Sequence, residues 1–93
     1  MTLHLPMKKR WYGMIESGEK PEEYRAKTPY WTKRLCNADG TFKPYTHVCF
    51  HYGYTKRTMT FEITNMSIGI GQPAWGAPDN EVFIIGLGER IGR

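Results

Sequence analysis

The sequence predicts an α+β domain in which two short helices pack against a small curved sheet. Three observations indicate this fold class. Two segments carry apolar residues at helical spacing with clear end signals, several others alternate apolar and polar residues, and 93 residues leave room for one core only. We therefore expect residues 1–93 to form a single domain.

The chain begins with a predicted strand and helix. Residues 2–5 alternate, which predicts a short strand with its leucines facing inward. Residues 7–17 carry apolar side chains at helical spacing, which assigns Trp11 to the core, and Pro6 precedes them at the position where helices tolerate proline best. Gly18 follows as a C-terminal cap, so the helix is expected to end there.

The segment GEKPEEYR, residues 18–25, concentrates charges of both signs, and its second part predicts an extended strand. Pro21 restricts this strand to a start or a sheet edge, because proline donates no main-chain hydrogen bond. Strict alternation divides the residues between two faces, with Pro21, Glu23 and Arg25 on one and Lys20, Glu22 and Tyr24 on the other.

The remainder of the chain predicts a second helix and several strands. The helix is capped by Thr28, with Pro29 at its first position. Residues 46–52 and 59–64 alternate and predict an antiparallel hairpin. The Gly- and Pro-rich residues 67–80 are expected to form a loop before an apolar, central strand at 81–87.

Charge and cysteine content narrow the functional classes. Thirteen basic against nine acidic residues give a net charge of +4, which suits an anionic partner such as nucleic acid. The N-terminus has no apolar stretch of signal-peptide length, and the longest apolar run, residues 82–87, is too short to span a bilayer. The sequence therefore predicts a cytoplasmic protein with reduced Cys36 and Cys49 and no membrane partner.

The spacing G-x-K-x-x-E-x-R, formed by Gly18, Lys20, Glu23 and Arg25 directly after a capped helix, resembles the signature of the ASCH family. The stretch EEYRAKTPYW is similar to small ASCH proteins of bacterial and prophage origin. The resemblance covers the whole chain. It implies a PUA-like β-barrel, a small mixed or antiparallel barrel of five or six strands with two short helices and a cleft beside the signature.

The resemblance also implies a function, an RNA- or modified-nucleotide-binding domain. One branch of the family hydrolyses an acyl amide on a modified cytidine with a signature lysine, a threonine three residues later and a more distant glutamate. Here Lys20 matches the lysine, Glu23 holds the threonine position, and Glu62 is the candidate for the distant glutamate. A small amidohydrolase is therefore the alternative, and a protein-interaction adaptor is the second alternative; the sequence predicts no oligomeric state.

The signature residues suit a ligand cleft chemically. Arg25 offers a planar fork for a phosphate, a carboxylate or a base edge, and Glu23 would accept from an exocyclic amine. Lys20 would hold a carbonyl group or, when desolvated, act as a base. The alternative is a structural salt bridge at the rim of the barrel.

Two candidates lie outside the signature. Lys9, in the basic first turn of the first helix, would contact phosphate, although a solvated helix face explains it equally well. Trp75, in the Gly- and Pro-rich loop, would stack on a base or bury its ring against the barrel.

Three residues of one predicted strand have a spacing compatible with zinc, namely His47, Cys49 and His51. One strand supplies only three ligands, and nothing in the sequence marks a fourth. Polar residues facing solvent explain them more simply, so the sequence predicts neither a metal nor a cofactor.

Overall fold

The fold of the chain is built on a five-stranded sheet, and the computed structural model describes residues 1–92. The strands are β1 (Thr2–Met7), β2 (Glu22–Ala26), β3 (His47–Tyr52), β4 (Thr58–Gly69) and β5 (Val82–Ile91). The helices are α1 (Lys9–Glu16) and α2 (Pro29–Leu35), and a 3-10 turn covers Pro73–Trp75.

The strand order β1-β3-β4-β5-β2 places the two strands that flank α1 at opposite edges of the sheet. β1 and β3 are parallel, and the other neighbouring pairs are antiparallel. The sheet curls so far that Arg25 of β2 donates from Nη2 to the carbonyl oxygen of Pro6 in β1, at 3.3 Å. The predicted α+β class and the β3–β4 hairpin are thus confirmed, in the form of a half-barrel.

The core lies between the sheet and the two helices. Its largest fully buried apolar side chains come from both kinds of element and include Leu3, Leu5, Tyr12, Ile15, Leu35, Val48, Phe50, Phe83 and Ile85. Each aliphatic or phenylalanine side chain among these contributes about 1.5–3 kcal/mol by leaving water. Among residues 1–92, the helices are too short and too polar to cross a membrane.

The predicted helix ends are confirmed where a cap marks them. Thr28 accepts a hydrogen bond at its side-chain oxygen from the main-chain N–H of Trp31, at 3.2 Å, and Pro29 occupies the first position of α2. Gly18 follows α1 with a φ of +87°, a region that favours glycine.

Several predicted boundaries are wrong, including the end of the last strand, β5, which continues past residue 87 to Ile91. β1 continues through Pro6, and α1 begins only at Lys9. An edge strand tolerates a residue without an N–H, so the proline does not open the helix. β4 continues to Gly69, into the predicted loop, because its second half pairs with β5, a long-range contact that local composition does not reveal.

Candidate functional site

Lys20 is positioned by the turn that follows α1. Its main-chain N–H donates to the carbonyl oxygen of Met14 at 2.9 Å, which fixes the start of the side chain. The side chain then runs inward, and the residue is only 2% exposed. Its Nζ donates to the carbonyl oxygen of Trp75 at 2.6 Å and lies 4.4 Å from the ring centre of Tyr24.

Glu23 connects the two basic side chains of the signature. Its Oε1 lies 3.3 Å from Nζ of Lys20, and its Oε2 accepts from Nε and Nη2 of Arg25 at 3.0 and 2.6 Å. Glu23 is buried like Lys20, and Arg25 is half-buried. We call these three residues, Lys20, Glu23 and Arg25, the charged cluster.

The strict alternation expected of an extended segment over residues 20–25 does not hold at its start. β2 begins at Glu22, so Lys20 and Pro21 precede it. Side chains alternate only within a strand, and the turn before Pro21 directs Lys20 toward Glu23.

Arg25 also has a structural role, as the salt-bridge interpretation expects. Beyond its bonds to Glu23, its Nη2 lies 3.1 Å from Sδ of Met7 and contacts the carbonyl oxygen of Pro6. Its guanidinium carbon lies 4.8 Å from the ring centre of Trp31. Arg25 therefore ties the two edges of the sheet together at the point where the cluster reaches the surface.

Burial determines the titration behaviour of two groups here. It is the largest influence on Lys20 and lowers the pKa of its ammonium group, while the neighbouring carboxylate of Glu23 opposes the shift. Burial also raises the pKa of Tyr24 to about 12. The Tyr24 hydroxyl donates to Oε1 of Glu22 at 2.8 Å and accepts from the main-chain N–H of Gln72 at 3.0 Å.

Two hollows adjoin the charged cluster, and Trp11, Glu23 and Tyr24 line both of them. The outer hollow has a volume of about 280 Å³, and its other lining residues are Pro6, Met7, Lys8, Arg25 and Ala26. The inner hollow has a volume of about 90 Å³, and its other lining residues are Lys20, Trp75 and Gly76. The outer hollow approaches the size of small-ligand sites, about 300 Å³ and more, whereas the inner one has room for a few water molecules.

The structure brings most of the predicted candidates together, but not all. Trp75 joins Lys20 at the inner hollow. Lys9 does not line either hollow, whereas its neighbour Lys8 lines the outer one. Glu62 is exposed on β4, opposite His47 in the register, and lines neither hollow.

Sequence reasoning missed the role of Trp11, which it assigned to the core by helical spacing. Trp11 is half-buried and forms a wall common to both hollows. Gly76 packs against its ring so closely that a Cβ there would lie 3.0 Å from it. The available signal was the GQPAWGAP loop, whose glycine permits that close approach.

A second group of side chains lies on β1 and β3. The potential ligand atoms of His4, Cys49 and His51 all lie within 4.8 Å of one another. His47, which the sequence grouped with them, is outside this set, and the sequence did not suggest His4. We call His4, Cys49 and His51 the thiol–imidazole cluster.

Comparison of the chain with family models, with curated proteins and with solved structures finds no match. The similarity to the ASCH family stays a prediction from the signature residues. Function is therefore inferred from the side chains of the site.

Proposed function

We propose that the chain binds single-stranded RNA or a modified nucleotide, with one base in the outer hollow. The observation that supports this most directly is the buried charged cluster, of which Glu23 and Arg25 line that hollow and Lys20 lines the adjoining inner one. Buried ion pairs are often no more stabilising than apolar residues of similar volume. Desolvated charges with a shifted pKa beside a cavity are typical of functional sites.

Each wall of the outer hollow supplies one element of nucleotide recognition. The Trp11 ring would stack on the base in place of the Arg10 guanidinium, which now lies 4.6 Å from the ring centre, a contribution of about 1–3 kcal/mol per base. Glu23 would accept a hydrogen bond from an exocyclic amine, which distinguishes bases that carry one. Lys8 and Arg25 would contact the phosphate. A base reaches such a hollow only when it is unstacked, which favours single strands over duplexes.

Two neighbouring lysines provide a matched test of this proposal. Lys8 lines the outer hollow and Lys9 does not, yet both are exposed and both carry one positive charge. We expect Lys8→Ala to weaken binding of short single-stranded RNA several-fold and to reduce the slope of log K against log salt by about 1. Lys9→Ala should leave affinity nearly unchanged, as measured by fluorescence anisotropy at several salt concentrations.

Replacement of the aromatic wall tests the position of the base. We expect Trp11→Leu to lower affinity by about 5- to 150-fold, because the loss of one stacked base costs about 1–3 kcal/mol. Equal losses in Lys8→Ala and Lys9→Ala, or unchanged affinity in Trp11→Leu, would contradict binding in the outer hollow. Those results would mean that RNA is attracted only by the overall positive charge of the protein, +4, and not by the outer hollow.

One observation favours hydrolysis of an acylated cytidine-type nucleoside as a second candidate. Lys20 is buried, its pKa is lowered, and its Nζ is 3.3 Å from a carboxylate oxygen of Glu23. A neutral Lys20 would take a proton from the water that attacks the acyl carbon, and that proton would pass to the departing amine. The substrate would first have to replace the carbonyl oxygen of Trp75 as the partner of Nζ.

Mass spectrometry of acylated and unmodified nucleosides incubated with the protein separates the two candidates. Turnover that disappears in Lys20→Ala would support the hydrolase. Binding without turnover would support the nucleotide-binding domain. If the protein neither binds nor hydrolyses these nucleosides, both candidates are contradicted, and the protein-interaction adaptor remains.

A further inference from the structure

The parallel pairing of β1 with β3 assembles the thiol–imidazole cluster from distant parts of the chain. His4 is the register partner of Cys49, and His51 follows Cys49 by two residues on the same strand face. Nδ1 of His4 lies 3.0 Å from Nε2 of His51, although the residues are 47 positions apart. Two imidazole nitrogens and one thiol sulfur thus converge on one point of the sheet.

The separations of these atoms suit a tetrahedral metal ion. Zinc binds histidine nitrogen at about 2.0–2.1 Å and cysteine sulfur at about 2.3 Å, which places neighbouring ligand atoms about 3.4 Å apart. The three candidate atoms lie within 4.8 Å of one another, and the two nitrogens are at 3.0 Å. Side-chain rotations that close the wider separations, up to 4.8 Å, would bring all three atoms to bonding distance.

The surroundings of the cluster leave one coordination position open. Cys49 is buried at the back of the cluster, His51 is half-buried and His4 is exposed. A hollow of about 340 Å³ adjoins the two imidazoles, and its other lining residues are Pro6, Gly53, Tyr54 and Thr55. Sites with three protein ligands and an open fourth position hold an exchangeable water or an external ligand, unlike closed structural zinc sites.

The donor set also selects the kind of metal. Nitrogen and sulfur donors favour zinc and related transition metals, whereas magnesium and calcium require oxygen ligands. The residues that line the adjoining hollow include no carboxylate. We propose that His4, Cys49 and His51 form a three-ligand zinc site whose fourth position faces this hollow. The site is separate from the charged cluster, so neither proposal depends on the other.

Cobalt(II) provides a direct spectroscopic test, because tetrahedral cobalt absorbs strongly in the visible range and a cobalt–thiolate bond adds a near-ultraviolet charge-transfer band. We expect the untagged, chelator-treated full chain to show both features with one equivalent of Co²⁺ and to lose them when Zn²⁺ is added. Azide should change the visible spectrum by entering the open position. Zn²⁺ at about 100 times its dissociation constant should raise the melting temperature by roughly 10 °C or more.

The chain contains a matched control for each ligand type. Cys49→Ser should abolish the charge-transfer band, whereas Cys36→Ser should retain it. His4→Ala and His51→Ala should each weaken Zn²⁺ binding by 10-fold or more, whereas His47→Ala should have little effect. His47 lies on the same strand, with its Nδ1 2.8 Å from Oγ1 of Thr46 and outside the cluster.

The outcomes are decisive in both directions. Circular dichroism in the presence of chelator establishes whether each variant is folded. If Cys49→Ser is not folded, His4→Ala and His51→Ala decide whether the zinc site exists. Spectra that lack the tetrahedral bands at millimolar Co²⁺ would overturn the proposal. So would a loss of Zn²⁺ affinity in His47→Ala equal to that in His51→Ala.

Discussion

The charged cluster and the thiol–imidazole cluster lie on different strands and are built in opposite ways. The charged cluster comes from one short segment, and its members satisfy one another through two ion pairs inside the protein. The thiol–imidazole cluster comes from two strands far apart in sequence, lies near the surface and has one internal hydrogen bond. Substitutions in the charged cluster should therefore lower the free energy of unfolding, whereas the thiol–imidazole cluster is available to an external ion.

The largest expected effect comes from neutralising the centre of the charged cluster. Glu23→Gln leaves the buried ammonium of Lys20 and the guanidinium of Arg25 without their counter-charge, which should cost about 3–5 kcal/mol in the free energy of unfolding. Urea denaturation at neutral pH measures this cost. The matched control is Glu22→Gln, whose amide oxygen still accepts from Tyr24, and which should cost less than about 1 kcal/mol.

Lys20→Met tests whether Lys20 or Glu23 contributes more to the stability of the charged cluster. It leaves Glu23 with both bonds from Arg25 and fills the lysine site with an apolar chain of similar length. We expect a cost of about 1–3 kcal/mol, less than that of Glu23→Gln, because Glu23 keeps its partner Arg25 and the carbonyl oxygen of Trp75 loses its hydrogen bond. A cost as large as that of Glu23→Gln would show that Lys20, not Glu23, holds the cluster together.

A smaller effect is expected at alkaline pH, beside the charged cluster. Tyr24 has a pKa of about 12 in the folded protein against 10.0 for the free side chain, so the folded state keeps its proton longer. This contribution is complete below pH 10 and is lost as the pH rises through 12. It amounts to about 3 kcal/mol, since the two pKa values differ by about 2 and each unit corresponds to about 1.4 kcal/mol.

The pH dependence of the urea midpoint in Tyr24→Phe isolates this contribution. Lys20, whose folded pKa is lowered, acts in the opposite direction and raises stability as the pH approaches 10.5. The range from pH 10.5 to 12 therefore separates Tyr24 from Lys20. An identical decline of stability in the wild type and Tyr24→Phe across that range would refute the assignment to Tyr24.

The smallest effect is expected in the metal-free thiol–imidazole cluster. His4 is exposed, so His4→Ala should change the free energy of unfolding by less than about 0.5 kcal/mol in the presence of chelator. Leu5→Ala, at the adjacent but fully buried position, should cost about 2–5 kcal/mol and serves as the reference. A cost above about 1 kcal/mol for His4→Ala would show that this cluster also supports the fold.

The two clusters differ in how far the sequence could predict them, and so do the elements of the fold. Capped helix ends and the β3–β4 hairpin follow from local signals, and the predictions for them are confirmed. The three residues of the charged cluster were found because they lie within eight consecutive positions, residues 18–25. His4 was missed because only the parallel register of β1 with β3 brings it to Cys49, and the chain between them carries no signal of that pairing.

The outer hollow shows the same limit at shorter range. Helical spacing correctly placed Trp11 on a packed face of α1, but it could not tell a core position from a cavity wall. Lys8 and Lys9 carry the same side chain, so the sequence does not distinguish them. Lys8 is the single residue between β1 and α1, and at that position it lines the outer hollow, whereas Lys9 in α1 does not. Sequence patterns define which face is packed, whereas the gaps in the packing depend on the long-range topology.

The bridge from Arg25 to Pro6 has a consequence for association between molecules. An open sheet edge is a template for a strand from another chain and hence for aggregation. Here one edge strand contains Pro6, the other follows Pro21, and a charged guanidinium spans the seam between them. These features disfavour strand addition at both edges. Association of two copies of the half-barrel through their main chains is therefore disfavoured, which leaves side chains and hollows as the surfaces for recognition.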